Sequence, residues 1–125
     1  MENQINYEET DDFRKDFKRL IKKYRTLEED LEVVKKNTIE LYHLKGIENQ
    51  SIFPIPGFCN ESLQICKIKK FACKALKGRG AMSGIRVIYA FHLTISKVEF
   101  IEIYFKGDKA NEDKDRIRDY LRNIN

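Results

Sequence analysis

Tryptophan is absent from the 125-residue sequence, and proline and glycine are scarce, at two and six residues. That composition excludes collagen-like and low-complexity chains. Cysteine is also sparse: Cys59, Cys66 and Cys73 form an odd set with no CxxC pair. A disulfide framework needs an even count and a zinc centre needs close pairs, so neither is expected. The two histidines, His43 and His92, are far apart in the chain. No metal and no cofactor are predicted, and the thiols read as small core residues in a reducing compartment. No apolar run reaches the length of a membrane span, and the polar start MENQINYEETDDF has no apolar stretch of the signal-peptide kind. The expectation is a cytoplasmic protein with no membrane partner.

What is present is enough length for one core, and a great deal of charge. The length predicts a single domain over 1–125. Hydrophobic residues make up 42% and charged residues 35%, so the core must come from periodic stripes. Net charge is +4, but between Ser62 and Val98 there is no carboxylate. That stretch holds eight cations: Lys67, Lys69, Lys70, Lys74, Lys77, Arg79, Arg86 and Lys97. The rest of the chain therefore carries −4. A basic segment inside an acidic chain predicts a local polyanion-binding surface, with RNA phosphates as its partner; the alternative is a merely solvated strand face.

The patterning predicts an α+β fold. A short strand over 5–9 precedes a helix from Thr10 or Asp11 to about Arg25, with the stripe Phe13, Phe17, Leu20, Ile21 and Tyr24. Thr26-Leu27-Glu28-Glu29 reads as a capping box for a second helix ending before Gly46. The two helices should form an antiparallel hairpin. Residues 47–61 read as a loop, because of Pro54, Pro56 and Gly57. Strands are expected from Leu63 to about Lys74, over 85–93 and over 98–106, with Ile101, Ile103 and Phe105 on one face. A last helix, capped at Asn111, carries Ile117, Tyr120, Leu121 and Ile124. The predicted architecture is a short strand and an α-hairpin on one face of a small, mostly antiparallel three-stranded meander, followed by a C-terminal helix.

Alternation also assigns faces. Lys67 and Lys69 point one way and Cys66 and Ile68 the other; Arg86 is set against Ile85 and Val87; Tyr104 and Lys106 share a side of the last strand. If the helices cover the Ile68 side, these groups form a basic, helix-free face, and Lys70 points away from it. Crowded ammonium groups lower one another's proton affinity, which would suit one lysine to proton abstraction. Arg86 could grip a phosphate with two N–H groups, and a second cation could stabilise a phosphorane. Substitution of such exposed strand cations should hardly affect folding.

The run CKIKK, then SGIRVIYAF, then FIEIYFKGDK and a terminal helix resembles the RelE/ParE toxin superfamily of toxin–antitoxin systems, from about Tyr7 to Leu121. The resemblance implies a cytoplasmic toxin neutralised by a cognate antitoxin. Its RelE branch implies metal-independent cleavage of mRNA on translating ribosomes, with the 2′-hydroxyl attacking the adjacent phosphate. It places Lys67 and Lys69 as base and transition-state stabiliser, Arg86 as phosphate clamp and Lys106 as a basic group ending the last strand. Tyr104 is the candidate phenol, although the family's C-terminal tyrosine has no clear counterpart here. Lys70, Lys74, Lys77 and Arg79 would dock RNA. The other branch implies a gyrase-poisoning toxin without nuclease activity, and a third possibility is a non-catalytic RNA-binding domain.

Overall fold

The computed structural model describes residues 4–80 and 82–124. Strand β1 (Asn6–Glu9) is followed by α1 (Asp11–Ile21) and α2 (Leu27–Val34), a π-helical turn at Lys35–Ile39, and α3 (Glu40–Lys45). Strands β2 (Ile52–Pro54), β3 (Leu63–Ile68), β4 (Ile85–His92) and β5 (Lys97–Phe105) precede α4 (Lys114–Asn123). The sheet has five strands in the order β1-β5-β4-β3-β2, all antiparallel except β1 with β5. The expected meander is thus its centre, with one extra strand at each edge. Among the described residues, no helix is long and apolar enough to cross a membrane.

Local chemistry accounts for most element ends. The Thr10 hydroxyl accepts from the Phe13 N–H at 3.1 Å and caps α1, which stops at Ile21, short of Arg25. Gly46 ends α3 in the left-handed region at φ 66°. Thr26 closes no capping box. Its hydroxyl donates to Asp30 at 2.7 Å and accepts from the Ala75 N–H at 2.9 Å, so it is spent on a distant loop. The last helix is capped by Asp113, which accepts from the Arg116 N–H at 3.1 Å, and not by Asn111.

Two expectations fail for a packing reason. Residues 47–61 are not all loop: Ile52-Phe53-Pro54 adds to the outer edge of β3, where proline's missing N–H costs no ladder bond. The helices do not share one face. The hairpin stripe (Phe13, Leu20, Leu27, Leu31, Val34) packs on Cys66, Ile68, Val87, Tyr89, Phe100 and Ile103. Helix α4 packs Ile117 and Tyr120 on the opposite face, against Ile65, Ile88, Ala90 and Ile101. Strands β3 and β4 are therefore buried on both sides, which explains their nearly unbroken apolar runs.

A β-bulge makes the second core possible. Ile88 pairs with Glu102 and Tyr89 with Phe100, which leaves Ile101 as the extra residue. Ile101 consequently joins the α4 side while Ile103 stays on the hairpin side, so Ile101, Ile103 and Phe105 do not share a face as alternation predicted. Strand β3 ends at Ile68, and the described residues between 69 and 84 form an irregular loop tied to the start of α2. Of the three thiols, Cys66 and Cys73 are buried as expected, whereas Cys59 is exposed.

Candidate nucleic-acid interface

The end of the sheet where β3 and β5 finish and β4 begins carries the predicted cations. Cross-strand register sets Lys67, Ile88 and Glu102 in one row and Arg86 beside Tyr104 in the next. Lys69 extends that second row: its N–H donates to the Ser51 carbonyl at 2.8 Å, and its own carbonyl accepts from Arg86 at 2.8 Å. Beyond them the Lys106 N–H donates to the Gly84 carbonyl at 2.8 Å. Gly84 adopts φ +88° with the Phe105 ring 2.9 Å from where a Cβ would stand, so only glycine admits this turn. Lys67 lies on the same side of the sheet as Ile65, and Arg86 on the same side as Ile88, as alternation required.

That side is not free of helix, and its charges are not all available. The Lys67 ammonium bonds the Glu112 carboxylate at 2.8 Å, and the two side chains are only 14% and 10% exposed. Burial pulls the Lys67 pKa down, but Glu112 and the neighbouring Tyr104 more than restore it, and the net shift is upward. The lowering expected from crowded cations does not occur, because a carboxylate rather than a second ammonium faces this lysine. Burial pushes the Glu112 carboxyl up, but the hydrogen bond and charge of Lys67, with a backbone hydrogen bond and the Lys114 charge, together hold its pKa below the ordinary value. Tyr104 is buried in the second core, its hydroxyl without a hydrogen bond among the described residues and its pKa raised by burial. Lys109 lies over the Tyr104 ring at 5.2 Å and is paired with the buried Glu102. Glu102 also accepts the Asp113 N–H at 2.9 Å, which pins the approach to α4.

The remaining cations separate into spent and available ones. Lys74 pairs with Glu29 at 3.6 Å, and Lys97 with Glu8 and Glu99 at 3.5 and 3.8 Å. Among the described residues, Lys69, Lys70, Lys77, Arg79, Arg86 and Lys106 have no carboxylate partner. Five of these six come from the acid-free stretch, and all lie in the 69–84 loop or at the strand ends beside it. The sequence reading missed Glu102, Lys109 and Glu112. Glu102 lies within β5 and Lys109 and Glu112 follow it, and Glu112 is 45 residues from the lysine it neutralises. Phe53 was missed because two prolines disguised its strand.

An α+β fold with a mixed sheet, an N-terminal helical hairpin on one face and a terminal helix on the other defines the structural class. The chain is similar in fold to a chain of the archaeal RelE–RelB complex from Pyrococcus horikoshii OT3. The TM-score is 0.50 at 12% sequence identity, over 82% of this chain and 96% of that one. The fold is thus RelE-like, as the strand motifs implied. No family model matches the sequence, and no curated protein matches it.

Proposed function

We propose that the chain is the toxin of a toxin–antitoxin module, acting in the cytoplasm as a metal-independent endoribonuclease on mRNA in translating ribosomes, and held inactive by a cognate antitoxin protein. The observation that carries this reading is the group of cations without a carboxylate partner among the described residues, Lys69 and Arg86 with Lys106 following, at one end of a RelE-like sheet. Arg86 grips the scissile phosphate, and Lys106 and Lys67 stabilise the charge that develops on it. Lys67, kept protonated by Glu112, suits that electrostatic role and not proton abstraction. Lys70, Lys77 and Arg79 hold the strand on either side, with Lys74 a weaker contributor because of Glu29.

Induced expression should arrest growth, and transcript ends should map within translated codons. Arg86→Ala should reduce cleavage by about 10²-fold, the scale of a lost charge stabiliser. Normal growth at verified protein levels would refute toxicity. Intact messages with cleaved DNA would move the assignment to gyrase poisoning. One observation favours a second reading: the Lys67–Glu112 pair caps a central cation of the site. A non-catalytic RNA-binding domain would bind RNA with steep salt dependence between about 50 and 200 mM and cleave nothing.

A further inference from the structure

The aromatic side chain of Phe53 has no role in either core. Its neighbours Ile52 and Ile55 are buried, one in each apolar cluster, whereas Phe53 is 39% exposed on the edge strand β2. Register places it directly across from Lys67, and the Lys69 ammonium lies 4.5 Å from its ring centroid. The Lys69 carbonyl in turn holds the Arg86 guanidinium. An exposed ring is thus fixed at the border of a cluster of phosphate-seeking groups.

The geometry points to Phe53 as a stacking platform for one nucleobase of single-stranded RNA, with Lys69 and Arg86 taking the adjoining phosphates. This rests on the RNA-contact reading above. Every base has a π-face, so a ring beside a cationic groove holds single strands without reading sequence. Lys69 serves twice, keeping the ring in place by a cation–π contact and meeting phosphate with the same ammonium. The edge position matters: β2 is the last strand of the sheet, so a base can reach the ring from the side without displacing α4.

The chain has no tryptophan, so Phe53→Trp creates a single fluorescent reporter. Titration with a short uridylate oligomer at low salt should quench it in step with binding measured independently. Phe53→Leu should weaken uridylate binding by about 5- to 100-fold, the range of base–aromatic stacking. Phe53→Tyr should restore wild-type affinity. An abasic ribose-phosphate oligomer of equal length should bind wild type and Phe53→Leu alike, which also shows that the variant is folded. If Phe53→Leu binds uridylate as wild type does, while Arg86→Glu does not bind, the platform is refuted and the RNA-contact reading stands. If wild type binds neither oligomer, both fall.

Discussion

Removing the Lys67 side chain would leave the Glu112 carboxylate almost enclosed and without its counter-ion. Breaking such a pair from one side costs more than the pair contributes, because the surviving charge stays desolvated. Lys67→Ala should therefore destabilise the protein by about 1–3 kcal/mol, less than a fully buried pair would show because both groups touch solvent. The Lys67→Ala/Glu112→Ala double variant should recover most of that loss in a urea-unfolding cycle. A Lys67→Ala midpoint equal to wild type would refute the pairing. Arg86 differs, since its guanidinium bonds carbonyl oxygens and leaves no orphaned charge when removed. Activity lost in Arg86→Ala can be read as function, whereas activity lost in Lys67→Ala must first be corrected for unfolding. Alternation alone placed both residues on one side of the sheet, where they lie. It could not show the partner, because nothing in the pleat of β3 reports what the approach to α4 will bring across.

Helix α3 is held to the sheet through His43, whose ring stacks on Phe91 at 4.0 Å and hydrogen-bonds the Tyr89 hydroxyl at 2.7 Å. Burial lowers the His43 pKa from 6.5 to about 4 and raises the nearby Cys66 thiol to about 12. The folded state therefore prefers neutral imidazole, while the unfolded chain takes up a proton near pH 6.5. Stability from this contact is complete above that pH and is lost as pH falls from 6.5 toward 4, by up to about 3 kcal/mol. His43→Phe keeps the stacking and removes the titration, so its unfolding free energy should vary less over this interval. Parallel pH profiles for the two proteins would refute the assignment. At this scale, existence and type of the long elements were readable from periodicity: α1, β4 and β5 lie within a few residues of expectation. What escaped reading was set by distant partners. Ile101 leaves its strand's alternation because α4 offers it a second core, and Thr26 forgoes its capping box because Ala75 presents an N–H.

For the whole molecule, a two-sided sheet means that neither apolar layer is complete without β5, which contributes Phe100 and Ile103 to one and Ile101 to the other. β1 depends on it entirely, since its ladder runs Asn6 with Lys97 through Glu9 with Phe100. Truncation before residue 97 should thus abolish cooperative unfolding and not merely lower the midpoint, because all interstrand partners of β1 and of the outer edge of β4 are lost. Urea unfolding of chains ending at 96 and at 125, followed by circular dichroism, checks this; a sigmoidal transition in the shorter chain would refute it.

The pairing of β1 with β5 also sets a clock. A strand made among the first ten residues waits for one made near the hundredth. At about 5–20 residues per second of synthesis, that wait is about 5–20 seconds. Throughout it the stripe of α1 and α2 has no complete sheet to cover, and the row from Lys69 to Tyr104 does not exist. The fold is therefore assembled only after β5 has been made.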